Sequence, residues 1–414
     1  MKFNKWTLGL AAVGVVSLAS VAQAEEKNAL QTALSATTIS GYVDTSAQWN
    51  FGTGNDYLPF YKFGGPGKAD GFNLNVVQLS IAKALDEQEW AAGYKVDLWF
   101  GPDANALHTQ YGGAPTYYPG RDFAIRQAYV ALRTPVGNGI EWKVGVFDSI
   151  IGYESVEAGN NPNYTRSYGH SIEPQTHTGV LATYRFSDNI SAAVGVANTF
   201  GPTINGRAFD VMDGNDPLFG HKAESYKAYM GSIALTAPED WGWVAGSTFY
   251  GGVVNGFSPD WSGDTIYDEF GADENVTSWY VGGTLATPVT GLKLGAAFDY
   301  FDVHHSDANI WAVAGYASYQ ATEKLSLHLR GEYVEATDVY GMSDPDSDSD
   351  KAKIFALTGT VQYDLWQNVI SRLEFRWDHS ANGKQAFGSY ENTSYGGPSR
   401  KNACMVAANF IYKF

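Results

Sequence analysis

The chain has 414 residues, a formal net charge of −17, one cysteine and an aromatic content of 14%. A single cysteine excludes an internal disulfide scaffold, and the acidic balance argues against a nucleic-acid partner, which would require basic patches. A slightly negative mean hydropathy together with many aromatic residues and 46 glycines is typical of a transmembrane β-barrel, with its apolar outer face, polar interior and aromatic rims.

The first 24 residues are a predicted secretory signal peptide. Lys2 and Lys5 precede an apolar run that extends from residue 6 to residue 21, and residues 22–24 read Ala-Gln-Ala, a pattern typical of a cleavage site. We therefore expect the mature chain to begin at Glu25, with a short polar periplasmic segment over 25–37. The alternative is a retained transmembrane helix. No later stretch has 18 or more consecutive apolar residues, so we expect no such helix in the mature chain.

Segments of about ten residues with alternating hydrophobicity predict the strands. Sixteen such segments follow one another along the chain, and each is bounded by residues that favour turns. They lie at 38–48, 72–85, 88–101, 122–133, 139–147, 175–186, 189–200, 225–237, 241–254, 276–287, 291–302, 309–321, 324–335, 352–365, 368–378 and 403–414.

The connections between these segments alternate in length. Those after odd-numbered segments are mostly long, as at 49–71, 148–174 and 379–402, whereas those after even-numbered segments are turns of a few residues. Long extracellular loops and short periplasmic turns are typical of bacterial outer-membrane barrels. The sequence therefore predicts an all-β fold over 38–414, a transmembrane antiparallel β-barrel of about 16 strands with both ends in the periplasm.

Two faces can be distinguished along most of the predicted strands. In 324–335, leucines alternate with a series that includes His328, Arg330 and Glu332, and 368–378 shows the same alternation. A lysine or arginine facing lipid at mid-membrane costs about 2–4 kcal/mol, so the charged series should face the lumen. The segments 122–133 and 241–254 alternate poorly, and the sequence does not assign their faces.

The last predicted strand ends in an apolar series. Phe410, Tyr412 and Phe414 alternate on one face, and the aromatic residue at 414 closes the chain. Such a strand is similar to the signal that the barrel-assembly machinery recognises. We therefore predict that these three residues form the assembly signal; the alternative is an ordinary last strand.

The longest connection, 148–174, is the third on its side of the barrel. We expect it to fold into the lumen and narrow the channel, with its charges facing bases on the barrel wall across a gap. The alternative is that these charges lie in water at the mouth. The predicted constriction charges are Asp148, Glu154, Glu157, Arg166, His170 and Glu173, and the predicted wall charges are Lys95, Lys143, Arg185, Arg330, Arg372 and Arg376.

Two stretches carry a resemblance to a known family. The opening TISGYVDTSAQWNF at 38–51 and the segment 144–186, which runs through IGYE, NPNY and RSYGH to THTGV, resemble the OmpL-like beta-barrel porins. The resemblance implies an outer-membrane barrel with pore activity and implies little about the solute. Members of the family often have proline where this chain has Ile150, so the path of this connection can differ here.

The function predicted from these features is passive diffusion of small hydrophilic solutes through an outer-membrane porin of a Gram-negative-type bacterium. The alternative is a non-permeating surface or structural barrel. No nucleophile, base and acid occur in a recognisable catalytic motif, so we expect no enzyme. We expect no cofactor and no metal. The acidic run 344–350 does not fit an EF-hand loop, and loose binding of a divalent cation is the alternative; His304 and His305 are adjacent on an extended segment, so their side chains should point apart. Expected partners are outer-membrane lipid and lipopolysaccharide, the barrel-assembly machinery, small solutes or ions and, by analogy, two further copies in a homotrimer.

Overall fold

The computed structural model describes residues 36–52, 54–110, 122–208, 226–257, 275–304, 308–337, 351–389 and 397–414. The predicted signal peptide, residues 25–35 of the predicted periplasmic segment and the acidic run 344–350 lie outside the described residues. Within the described ranges, no helix is both long and apolar enough to cross a membrane.

Sixteen antiparallel strands form one closed barrel in which each strand pairs with its neighbours in the chain. The first strand pairs with the last, from Tyr42 opposite Lys413 to Phe51 opposite Cys404, and this pairing closes the sheet. The predicted 16-stranded antiparallel barrel is therefore confirmed. The strands are β1 Thr38–Phe51, β2 Gly71–Lys83, β3 Ala91–Phe100, β4 Phe123–Thr134, β5 Ile140–Asp148, β6 Thr176–Ser187, β7 Ile190–Ala197, β8 Ala228–Thr236, β9 Thr248–Phe257, β10 Asn275–Ala286, β11 Leu292–Val303, β12 Asn309–Gln320, β13 Leu325–Thr337, β14 Ala352–Tyr363, β15 Val369–Ser380 and β16 Asn402–Lys413.

The period-two pattern of the sequence corresponds to the two faces of the sheet. On β13, Leu327 and Leu329 are exposed on the outer surface, whereas Arg330 and Glu332 are buried inside the barrel. Because successive side chains of a strand point to opposite faces, the alternation gives an apolar outside and a charged inside.

The poor alternation of β4 has a structural cause. Gln127 pairs with Asp97 and Ile125 pairs with Leu98, so Arg126 is an extra residue in the ladder between β3 and β4. Such a bulge shifts the inward-facing series by one residue. Arg126 and Gln127 are consequently both buried, although they are adjacent in the chain.

The predicted start of the ninth strand, at residue 241, is wrong. The turn between β8 and β9 covers residues 237–247 instead of 238–240, and it contains two short 3-10 turns at Glu239–Val244 that are joined by a kink at Gly242. Gly242 and Gly246 have φ angles of 68° and 75°, which favour glycine and interrupt a strand. Trp241 and Trp243 therefore lie in the turn and not in the strand.

The connection between β5 and β6, which we name the third loop (149–175), lies inside the barrel. It contains the only α-helix of the described residues, α1 (Tyr168–Ile172). Ile150, Ile151 and Ile172 are buried in one cluster with side chains of the barrel wall such as Leu181 and Val254. Apolar contacts on one side and charged contacts on the other hold the loop within the lumen.

Candidate functional site

Arg330 of β13 joins the barrel wall to the third loop. Its guanidinium is fully buried and donates to Glu154 Oε1 at 2.8 Å and to the carbonyl oxygen of Thr165 at 2.7 Å. A second carboxylate, that of Glu332 on the same strand, accepts from Arg330 Nε at 2.7 Å. The predicted loop acid and the predicted wall base are therefore in direct contact and are not separated by a water-filled gap.

Arg372 and Arg376 of β15 bind the backbone of the same loop. Arg372 donates to the carbonyl oxygens of Ala158 and Asn161 at 2.9 and 2.6 Å. Arg376 donates to the carbonyl oxygen of Arg166 at 2.7 Å and pairs with a carboxylate of its own strand at 2.9 Å. Both arginines are covered by the loop, so their charges anchor the backbone.

Carboxylates of the barrel wall also bind the third loop. They were not among the predicted site residues. Glu374 accepts from the backbone N–H groups of Tyr164 and Thr165 at 2.6 and 2.9 Å, and Glu332 accepts from that of Tyr168 at 2.7 Å. The alternation of acids and bases on the inner face of β15 already indicated such anchoring carboxylates. The predicted wall charges contained only the bases of this series.

A second charged cluster joins the loop to the opposite wall. Arg126, on the bulge of β4, lies 2.9 Å from Asp97, 3.3 Å from Asp148 and 3.2 Å from Glu157. Lys95 lies 3.1 Å from the same Asp97. Burial acts to raise the pKa of Glu157, but Arg126 and Lys95 hold that pKa below its ordinary value. The sequence pattern did not predict that Arg126 faces the lumen, because the bulge interrupts the alternation of inward and outward side chains on β4.

The two clusters differ in their access to water. The side chains of Lys95, Asp148 and Glu157 are 20%, 21% and 22% exposed, whereas those of Arg330 and Glu154 are 0% and 1% exposed. Solvent therefore reaches Lys95, Asp148 and Glu157 between the third loop and β3–β5, although Arg126 and Asp97 within that cluster are buried. The charges between the loop and β13–β15 are sealed.

The remaining two predicted wall bases lie in different places. Lys143 of β5 lies over the ring of Tyr129, with its Nζ atom 5.1 Å from the ring centroid, on the solvent-reached side. Arg185 is exposed near the end of β6 that leads into the short turn before β7. The structure does not bring Arg185 to the third loop, because it is close to the periplasmic end of its strand.

His170 and Glu173 lie at the C-terminal end of the loop, and both are buried. Burial and the nearby Arg166 lower the pKa of His170 well below its ordinary value, and burial together with Asp299 of β11 raises the pKa of Glu173 well above its own. The Nδ1 atom of His170 lies 3.6 Å from Oε2 of Glu173. Glu173 also lies beside Asp299 of β11.

The predicted assembly residues lie on the outer face of the closing strand. Phe410, Tyr412 and Phe414 are each roughly half exposed there. The backbone N–H of Phe414 donates to the carbonyl oxygen of Gly41 at 2.9 Å, and the reverse bond has the same length. The terminal residue thus forms part of the seam between β16 and β1.

A closed barrel of sixteen strands, apolar outside and charged within, with one loop folded into the lumen, defines an outer-membrane porin. The chain belongs to the family described as "Putative beta-barrel porin-2, OmpL-like", whose profile matches residues 36–414. The resemblance found in the sequence is thereby confirmed, and the protein is an outer-membrane channel for passive diffusion in a Gram-negative bacterium.

Solved structures support the fold. The outer-membrane channel DcaP of Acinetobacter baumannii is 14% identical with a TM-score of 0.56, and the comparison covers 93% of this chain and 99% of that one. OmpT of Vibrio cholerae is 12% identical with a TM-score of 0.53, covering 94% and 100%. The anion-selective porin from Comamonas acidovorans is 13% identical with a TM-score of 0.53, covering 91% and 99%. Among curated protein sequences, none matches this chain.

Proposed function

We propose that the third loop sets the constriction of this channel and that solutes pass between the loop and β3–β5. A barrel of 16 strands is wide enough to enclose water. The observation that supports this path is the contrast in exposure between the cluster of Lys95, Asp148 and Glu157 and the sealed cluster around Arg330. Charges of both signs in a narrow opening produce a transverse field that acts on passing ions.

Single-channel recording in a planar bilayer tests the pore. The purified mature protein should insert in discrete conductance steps, and a variant lacking residues 155–164 should give larger steps because the middle of the loop is removed. A matched deletion outside the lumen, residues 239–244 in the turn between β8 and β9, should leave the step size unchanged. Folded protein that inserts without conducting would support the alternative, a non-permeating surface or structural barrel.

We also propose that three copies assemble in the membrane. One solved form of OmpT from Vibrio cholerae, 11% identical with a TM-score of 0.54, is described as a trimer. Outer-membrane lipid, lipopolysaccharide and the barrel-assembly machinery are the other proposed partners. Native mass spectrometry in a mild detergent should give three times the mass of the mature chain, and a single-chain mass would contradict the trimer.

We propose that cleavage after Ala24 leaves Glu25 as the first residue of the exported protein, and N-terminal sequencing of outer-membrane material checks this.

We propose that the channel has no enzymatic activity, because the charged groups of the site are used in ion pairs and hydrogen bonds with the loop.

A further inference from the structure

A small cavity of about 20 Å³, open to solvent, lies where the first three long loops meet inside the barrel. The third loop contributes Arg166, the described part of the first loop, between β1 and β2, contributes Lys62 and Lys68, and the second loop, between β3 and β4, contributes Asp103. Asp44 of β1 lines the wall side. The cavity is separate from the solvent-reached cluster on β3–β5, which shares none of these residues.

Arg166 differs from the buried arginines of the wall. Its side chain is 3% exposed, its two terminal nitrogens donate to the carbonyl oxygens of Tyr164 and Val156, and its Nε has no hydrogen-bond partner. No carboxylate of the described residues forms an ion pair with it. Arg126, Arg330 and Arg376 each have a carboxylate within 3.0 Å.

The other charges around the cavity are already engaged. Lys68 forms an ion pair with Asp103, and Asp44 accepts from the amides of Asn75 and Asn409 at 2.9 and 2.6 Å. Three cations and two carboxylates line the cavity.

A buried charge without a counter-ion is unfavourable, and a buried Nε–H without an acceptor adds to that penalty. A carboxylate side chain would remove both penalties, but among the described residues no carboxylate lies within ion-pair distance of Arg166. A small anion in the adjoining cavity would remove both as well. The cavity is too small for an organic solute and has the size of a site for one chloride ion or about one or two water molecules.

We propose that this cavity is a binding site for a small monovalent inorganic anion such as chloride, held by Arg166 as its counter-ion. The anion accepts from Arg166 Nε and occupies the junction of the three loops. Bound there, it stabilises the folded position of the third loop, and external chloride thereby affects the constriction. The proposal does not depend on which solutes cross the channel.

Bromide locates the site directly. Crystals of the full mature barrel grown with sodium bromide in place of chloride should show an anomalous scattering peak in the cavity, within hydrogen-bond distance of Arg166 Nε. A cavity that contains only ordered water, while bromide is found at other sites, would overturn the proposal.

Thermal unfolding tests the contribution of Arg166. At constant ionic strength, replacing gluconate with chloride should raise the unfolding midpoint of the wild-type protein by a few degrees, because a ligand that binds the folded state stabilises it. Gluconate is too large for the cavity. Arg166→Gln should remove this chloride-dependent shift.

Arg372→Gln is the matched control. Arg372 is equally buried and also donates to loop carbonyl oxygens, but it does not line the cavity. Its substitution should lower the midpoint and keep the chloride-dependent shift. If Arg166→Gln does not fold, Arg166→Lys keeps the charge, removes Nε and should weaken chloride binding about tenfold, the effect of losing one charge-assisted hydrogen bond. An unchanged chloride dependence in either Arg166 variant would overturn the proposal.

Discussion

At the scale of single residues, the lumen of this barrel is an arrangement of paired charges. Arg330 contacts Glu154 of the loop and Glu332 of its own strand, and all three side chains are buried. Removing one member of such a group leaves an uncompensated charge, whereas removing matched partners does not. The roles of these residues can therefore be separated by comparing single and double variants.

Arg330→Gln should loosen the third loop. Glu154 would be left buried without its cation, a loss of about 3–5 kcal/mol for a broken buried pair. Single-channel traces should then show frequent transitions to a larger conductance, and the unfolding midpoint should fall. The double variant Arg330→Gln with Glu154→Gln should lie closer to the wild type. Quiet traces with wild-type conductance from the single variant would contradict an anchoring role.

The pair formed by Glu173 and Asp299 should make the loop sensitive to pH. Because the pKa of Glu173 is raised, the folded loop retains a proton that an unfolded segment has lost. Its stabilisation is complete below the ordinary carboxyl pKa of about 4.3 and is lost as pH rises through the raised pKa. Hydrogen–deuterium exchange of α1, corrected for intrinsic rates, should accelerate over that range.

Two substitutions test this dependence. The variant Glu173→Gln cannot ionise at this position, so its exchange should depend less on pH than that of the wild type, while Asp302→Asn, a partly exposed position on β11, should behave like the wild type. An identical pH profile in the wild type and in Glu173→Gln would show that another group is responsible.

At the scale of elements, the third loop and the bulge of β4 together determine which charges meet water. The bulge directs Arg126 inward, and the loop brings Asp148 and Glu157 to it. The same loop covers Arg372 and Arg376. Ion selectivity is therefore expected to depend on the first group, and loop anchorage on the second.

Neutralising the exposed charges should change the reversal potential under a potassium chloride gradient. Asp148→Asn with Glu157→Gln should shift the selectivity towards anions, and Lys95→Gln with Lys143→Gln should shift it towards cations. Both shifts should shrink at 1 M salt, where the Debye length is about 3 Å. Arg185→Gln, at the periplasmic end of β6, is the control and should have no effect. If no pair shifts the potential, the path between the loop and β3–β5 is wrong.

At the scale of the whole molecule, closure depends on the pairing of the first and last strands. Phe414 bonds both ways with Gly41, and the ring of Phe414 lies close to the position of an added Cβ at Gly41. This seam forms only when the last strand has been delivered. We therefore expect its sequence to affect assembly more than the stability of the finished barrel.

Deleting Phe414 should reduce the amount of folded protein in the outer membrane several-fold. The same variant refolded from urea into detergent should have nearly the wild-type unfolding midpoint, because only two terminal backbone bonds are lost. Immunoblots of unheated and heated membranes give the first quantity. Normal membrane levels of the deletion variant would argue that this strand is not the assembly signal.

The sequence by itself determined the barrel, its strand number and its two faces. A strand repeats every two residues, and lipid on one side and water on the other impose opposite requirements on successive side chains. That is why Arg330, Arg372 and Arg376 could be assigned to the interior from local pattern alone. The turn at 237–247 and the bulge at Arg126 were missed because glycine conformations and an extra residue both break this period.

Only the tertiary structure decided what the interior charges do. Whether Glu154 faces a gap or contacts Arg330 depends on the path of the third loop, and that path is determined by contacts with residues as distant in the chain as Glu374. Arg185 and Lys95 carry the same charge on similar strands, yet they lie at different heights in the barrel. The height of a charged side chain in the barrel depends on the register of the closed sheet, and its ion-pair partners depend on how the third loop packs. Both are long-range properties that no local sequence pattern contains.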